Sequence, residues 1–166
     1  MRKSKPACMP GKVKNNTVCM DKQVTPLNYI KQSVEQLIKD HETRDPYRMA
    51  QAMGIDVDEF PFRRIKGLIL EITGKVTIVL NSNLPEWLKR VVLAHELGHR
   101  QLSPQGMGYF FLAEHTLMES KVEYEANRFT VELLTWGEEP EIEETVEHFA
   151  ARMGLPVEMM RYRVVI

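Results

Sequence analysis

The sequence predicts an α+β fold in which a small, partly antiparallel, three-stranded sheet packs on one long helix and further helices follow. Apolar residues recur at helical spacing over residues 26–42 and again from residue 83 onward. Between these helices, residues 55–80 change to period two or to short continuous apolar runs, which are typical of strands. Helices and strands therefore occupy separate parts of the chain, as in α+β folds.

The composition is that of one globular domain. The chain has 166 residues, of which 43% are hydrophobic and 27% are charged, so one sizeable core can form. The net charge of −1 gives no overall field that would favour nucleic acid or an anionic membrane. No apolar run approaches the length of a membrane span. We therefore expect a single cytoplasmic domain over residues 25–166.

Residues 1–24 are expected to form a basic appendage outside that domain, because they show neither helical nor strand periodicity. No apolar stretch follows the basic residues, so a signal peptide is not predicted. A disordered tail is one interpretation, and an arm that touches nucleic acid is the other. Cys8 and Cys19 both lie here without C-x-x-C spacing, and we interpret them as reduced thiols.

Two helices and three strands are expected before residue 83. The helices cover residues 26–42 and about 45–53, and Gly54 ends the second. The strands cover residues 55–60, 67–72 and 75–80, and Thr73-Gly74 predicts a tight hairpin between the last two.

A long helix is predicted over residues 83–102. Asn83 is expected to cap it, with Glu86 completing a capping box and Pro85 in the first turn. One apolar stripe of this helix ends in two histidines, which should therefore point into the protein; its members are Leu84, Leu88, Val91, Val92, His95 and His99.

The remaining elements are mostly helical. A loop rich in Pro and Gly is expected over residues 103–108, followed by a helix from about 116 to 136. A third helix should cover about 140–153, with Ile142, Val146, Phe149 and Ala150 on one face, and Gly154 should break it. A last helical turn carries Met159 and Tyr162.

Residues 95–99 read His-Glu-Leu-Gly-His, an H-E-x-x-H motif. Histidines at i and i+4 share one helix face, so both imidazoles can reach a single metal ion. Glu96 lies beside that face, where it can act on water without being a ligand. This is the arrangement of a zinc-dependent peptidase. The alternative is two histidines that are merely buried in a core helix.

A catalytic zinc site needs a third protein ligand, and a carboxylate or His115 must supply it because both cysteines lie in the tail. The nearby carboxylates are Glu114, Glu119, Glu123 and Glu125. Glu123 shares its helix face with small, apolar or uncharged residues, which suits a buried site. Glu125 falls with charged residues, namely Lys121, Arg128 and Glu132, and is expected to lie on a solvated face. We therefore choose Glu123.

Asn127 lies one turn after Glu123, and its amide oxygen could accept the ring N–H of a ligand histidine. It could equally hydrogen-bond backbone.

The two motifs, His95-Glu-Leu-Gly-His99 and then Glu123-Tyr-Glu-Ala-Asn127-Arg-Phe129, resemble the ImmA/IrrE family of metallopeptidases over roughly residues 27–165. The resemblance implies a zincin-like fold, one zinc ion bound by His95, His99 and Glu123, and a catalytic Glu96. It also implies the substrate, a helix-turn-helix transcriptional repressor that is cut to release the genes of a mobile element or a stress regulon. The basic tail with its cysteines is not part of the family pattern.

Three further points stay open at the level of sequence. Tyr109 or His115 could donate to the oxyanion of the reaction, or could serve only in packing or at the surface. The hairpin strands could offer an edge to an extended substrate, or could be simple core sheet. The alternative functions are a non-catalytic module that sequesters a repressor or antitoxin, and a structural zinc site that His115 closes.

Overall fold

A computed structural model of the chain describes residues 28–103, 109–111 and 120–163. The appendage over residues 1–24, with Cys8 and Cys19, lies outside the described residues, and so do Glu114, His115 and Glu119. None of the helices in the described part of the chain has the length and hydrophobicity that a membrane-spanning helix requires.

Helices flank a mixed sheet along the chain. The elements in order are α1 (Asn28–His41), α2 (Pro46–Ala52), β1 (Asp56–Phe60), β2 (Ile65–Ile72), β3 (Lys75–Asn81), α3 (Glu86–Leu102), β4 (Tyr109–Phe111), α4 (Lys121–Leu134), α5 (Val146–Met153) and a 3₁₀ helix (Val157–Tyr162). The α+β class is therefore confirmed.

The three expected strands form the sheet, and a short fourth strand joins it. The strand order is β1-β3-β2-β4. β1 runs parallel to β3, whereas β2 is antiparallel to both β3 and β4. Thr73 and Gly74 both have positive φ, 52° and 80°, which is the two-residue turn expected of this hairpin.

The sheet order limits the edge that the two hairpin strands could offer to a substrate. β3 lies between β1 and β2, so it has no free edge. The other side of β2 pairs with β4 from Ile65 to Leu68. Three consecutive aromatic residues at Tyr109–Phe111 do not by themselves indicate a strand, so β4 is an addition to the three strands that the pattern predicts.

One face of the sheet lies against α3. Gly67 of β2 comes so close to this helix that an added Cβ would stand 2.5 Å from the Cγ1 atom of Val92. On the other side of α3, a Cβ on Gly98 would meet the ring of Phe129 of α4 at 3.0 Å. These two glycines allow β2 and α4 to approach opposite sides of the same helix.

The start of α3 differs from the expectation. Pro85, not Asn83, is the N-cap residue, and no side chain caps the helix. The Asn83 side chain donates instead to the carbonyl of Phe62, at 3.3 Å. Lys89, which is buried, pairs with Glu59 and Glu86 at 2.8 Å each and ties the first turn of α3 to β1. The capping-box prediction is therefore wrong, because the Asn83 side chain hydrogen-bonds the loop before β2 instead of the first turn of α3.

Two further helix starts are later than predicted. Ser120 is the N-cap of α4, so this helix begins at residue 121 rather than about 116. Thr145 is the N-cap of α5, which begins at residue 146 rather than about 140. Glu143 has a left-handed φ of 65°, which a helix does not tolerate, and Ile142 is 98% exposed rather than on the buried face. Val146 is also exposed, whereas Phe149 and Ala150 are buried as expected.

Most of the α4 face that carries Glu125 is buried or half-buried, contrary to the prediction, although Lys121 at its start is exposed. Arg128 is only 4% exposed, and the side chains of Glu125 and Glu132 are 13% and 14% exposed. The cause is α1, which packs against α4 and covers this face. The predicted ion pairs nevertheless form, Lys121 with Glu125 at 3.5 Å and Arg128 with Glu132 at 3.4 Å.

Candidate metal centre

Two histidines of α3 meet one turn apart inside the protein. His95 and His99 are 1% and 4% exposed, and their Nε2 atoms lie 2.9 Å apart. The two rings are nearly perpendicular, at 81°. The helical spacing of the motif therefore brings both ring nitrogens to a single point, as the sequence analysis expected of a pair on one face.

Glu123 reaches the same point from the first turn of α4. Ser120 caps this helix by accepting a hydrogen bond from the Glu123 backbone N–H at 3.2 Å. The Glu123 carboxylate extends to the histidines, with one oxygen 3.3 Å from His95 Nε2 and the other 3.3 Å from His99 Nε2. A negative side chain is also favoured in this position by the positive N-terminal end of the helix.

The three side chains form a donor set that fits a metal ion. One ligand atom from each of His95, His99 and Glu123 lies within 4.8 Å of the others. Metal–ligand bonds of about 2.0–2.1 Å in a tetrahedron place neighbouring ligand atoms about 3.3 Å apart. Each Glu123 oxygen lies at this separation from one of the two histidines, and the two histidine Nε2 atoms lie closer together, at 2.9 Å. Imidazole and carboxylate are also ligands that divalent transition metals prefer.

The ionisation states favour a cation at this cluster. Burial lowers the pKa of His95 despite its hydrogen bond to Glu123, so the ring stays neutral at physiological pH. Partial burial opposes ionisation of Glu123, but hydrogen bonds from His95 and His99 outweigh it and lower the Glu123 pKa to about 2. Neutral imidazole and ionised carboxylate are the forms that bind metals.

Glu96 lies next to the cluster in an environment that is hostile to a free carboxylate. It is fully buried, and neither of its oxygens has a hydrogen-bond partner among the described residues. Burial, together with the negative charge of Glu123, raises the Glu96 pKa to about 8. A buried acid without partners is costly, so its position calls for a compensating group such as a cation and water.

Asn127 links the cluster to the C-terminal 3₁₀ helix. The Asn127 side chain raises the pKa of the neighbouring His95 ring, an effect smaller than that of burial. The Asn127 amide also donates to the Tyr162 hydroxyl at 3.2 Å. Tyr162 is buried, stacks edge-on against Tyr124 and accepts a further hydrogen bond from Arg161.

Sequence reasoning missed two supports of this centre. Ser120 and Glu123 have the Ser-x-x-Glu spacing of a capping box, which would have located the start of α4. Tyr162 has no sequence signal that connects it to Asn127, because 35 residues separate the two.

Two other predicted site residues, Tyr109 and His115, lie wholly or partly outside the described residues. The backbone of Tyr109 lies in β4, and its side chain, like all of His115, is outside what the structure describes. Glu125, the rejected ligand candidate, contacts Lys121 and the hydroxyl of Tyr29 instead of the histidines.

A mixed α+β fold with an H-E-x-x-H helix and a His-His-Glu cluster defines the class of protein as metallopeptidase-like. Comparison with known proteins agrees with this class. Residues 50–165 match the model of the peptidase M78 family, described as the IrrE N-terminal-like domain. The chain belongs to this family. The match begins within α2, so α1 precedes it.

Two curated proteins are similar to the chain. It is 36% identical to the uncharacterized immunity region protein 2 of Bacillus phage phi105, over 81% of this chain and 88% of that protein. It is 28% identical to the metallopeptidase ImmA of Bacillus subtilis strain 168, over 63% of this chain and 62% of that protein. No solved structure matches the chain.

Proposed function

We propose that the chain is a zinc-dependent, site-specific endopeptidase. The observation that carries the proposal is the pairing of a three-donor cluster with a buried carboxylate beside it that has no hydrogen-bond partner in the described part of the chain. Mere metal binding has no use for such an acid, whereas peptide hydrolysis requires one. The proposal identifies the metal as zinc, because two histidines and one glutamate form a known catalytic zinc set.

Each residue of the centre has a proposed role. His95, His99 and Glu123 hold the ion and leave room for further ligands. The bound ion would polarise the scissile carbonyl and acidify water. Glu96 accepts a proton from water and later delivers it to the leaving amine. Asn127 orients the His95 ring through its hydrogen bond, and Tyr162 fixes Asn127 in turn.

The donor to the oxyanion is assigned only as a pair of alternatives. Tyr109 and His115 both belong to the stretch between α3 and α4, which connects the two ligand-bearing helices. Either could place a donor near the reacting carbonyl.

We further propose that the substrate is a helix-turn-helix repressor, and that its cleavage derepresses a mobile element or a stress regulon in the cytoplasm. The names of the similar proteins support this: one comes from a phage immunity region, and the other is a metallopeptidase. The choice of a repressor as the substrate comes from the family resemblance. Residues 25–166 are proposed as the peptidase domain and residues 1–24 as its appendage.

The test is direct. The purified protein is mixed with zinc and with a helix-turn-helix repressor sought among the products of the neighbouring genes. The reaction products are separated on a gel and their masses are measured by mass spectrometry. Two fragments whose masses sum to that of the intact repressor plus one water are expected. A stable complex without fragments would instead identify a module that sequesters the repressor.

A further inference from the structure

A cavity of about 270 Å³ opens directly beside the metal centre. His95 and Asn127 belong to its wall, so the cavity and the metal cluster share a side chain. Its volume far exceeds the ~15 Å³ that a single water needs. A substrate bound at the metal cluster therefore has space for a large side chain next to the bond to be cut.

The wall of this cavity is mostly apolar. One side comes from α3, immediately before the motif, and the other comes from the 3₁₀ helix and the turn before it. The apolar members are Leu88, Val91, Val92, Pro156 and Met159. Apolar walls reward the burial of apolar surface, so the cavity favours a long hydrocarbon side chain over a short one.

Three charged residues line the cavity, the basic Lys66 and Arg161 and the acidic Glu158, and Lys66 is the one that reaches it from the sheet. Between Ile65 and Gly67 the pairing of β2 with β4 shifts by one residue, so Lys66 is the extra residue of a β-bulge. Bulges redirect side chains and are common beside active sites. Lys66 lines the cavity, is half-buried, and forms no ion pair within the described part of the chain. Burial also lowers its pKa, which is the sign of an ammonium in poor solvent.

We propose that this cavity is the specificity pocket of the peptidase, and that it accepts a large apolar side chain adjacent to the scissile bond while Lys66 rejects basic ones. The inference rests on the proposed function. Met159 limits the pocket from the 3₁₀ helix. Lys66 and Arg161 outnumber the single carboxylate of Glu158, so a lysine or arginine side chain would meet mostly like charge there.

Binding of small chelating probes tests the pocket without any need for a known substrate. The probes are the hydroxamates of alanine, leucine, phenylalanine and lysine, which share one metal-binding group and differ only in the side chain. Their Kd values are measured by calorimetry on the zinc-loaded protein. Leucine and phenylalanine hydroxamate are expected to bind at least about tenfold tighter than alanine hydroxamate, since a buried methylene is worth about that factor or more. Lysine hydroxamate is expected to bind no more tightly than alanine hydroxamate, although its side chain is long.

Three variants separate the pocket from the metal. Met159→Trp, which fills the cavity, should remove the advantage of leucine and phenylalanine while alanine hydroxamate still binds. Lys66→Met should bring lysine hydroxamate closer to leucine hydroxamate. Met160→Ala is the matched control on the same 3₁₀ helix, because Met160 does not line the cavity, and it should keep the wild-type order. Circular dichroism and melting curves check that each variant folds. If Met159→Trp does not fold, Met159→Ala is used instead, and it is expected to bind leucine hydroxamate more weakly than the wild type does.

The outcomes distinguish the two proposals. The specificity-pocket proposal would be wrong if all four probes bound with equal affinity, or if the Met159 and Lys66 variants left the order of affinities unchanged. Either result would leave the proposed metal centre intact. Failure of every hydroxamate to bind would overturn the metal centre, and the pocket with it.

Discussion

At the scale of single residues, Glu96 separates catalysis from metal binding. Among the residues that the structure describes, it is buried without a hydrogen-bond partner and stands outside the donor cluster. We expect Glu96→Gln to keep the fold and bound zinc but to abolish cleavage, because an amide cannot accept the proton from water. Rates of repressor cleavage and zinc content measured on the same preparation check this. A variant that cuts at the wild-type rate would show that Glu96 is not the base.

Glu123 and Glu125 form a matched pair on one helix. Glu123 lies 3.3 Å from both histidines, whereas Glu125 contacts Lys121 and Tyr29. Glu123→Gln should weaken zinc binding by more than the roughly 10–100-fold that an outer-sphere partner contributes. Glu125→Gln should leave zinc affinity unchanged. Competition with a fluorescent chelator measures both, and an equal loss in the two variants would contradict the choice of Glu123.

At the scale of elements, the close approach of β2 to α3 positions Glu96 beneath the sheet. An added Cβ on Gly67 would stand 2.5 Å from Val92 and 3.4 Å from Glu96. Gly67→Ala should therefore destabilise the protein by about 1–3 kcal/mol through overpacking. Val92→Ala in the same chain should recover part of this loss by making space. Urea unfolding of the two single variants and the double variant gives the coupling free energy between positions 67 and 92. Strictly additive effects would show that Val92 is not the residue that the added methyl group crowds.

The turn before α5 is held by ionic contacts that acid should weaken. Hydrogen bonds from Arg152, and then from the backbone of Glu141, lower the pKa of Glu144 to about 2. A depressed folded-state pKa gives stability that is present above the ordinary pKa of about 4.5 and is lost as pH falls toward 2. Arg152→Met should therefore lower the melting temperature more at pH 6 than at pH 2.5. An equal decrease at both pH values would show that Arg152 acts through packing alone.

At the scale of the whole molecule, the sequence predicted those features that depend on residues close together in the chain. The helical period predicted α1 and the buried histidines, and Thr73-Gly74 predicted the hairpin. Features that depend on distant packing were not predictable. The capping role given to Asn83 failed because a loop competed for its amide, and the face of Glu125 is covered because α1 packs there. The link from Asn127 to Tyr162 joins residues that only the fold brings together.

The proposed metal centre lies where α3 meets the first turn of α4, next to β2. The zinc content of the purified protein tests this junction most directly. We predict one zinc per chain in the wild type and none in His95→Ala, as measured by mass spectrometry of the metal after dialysis, with circular dichroism confirming that the variant is folded. A folded His95→Ala protein that keeps one zinc per chain would contradict the account.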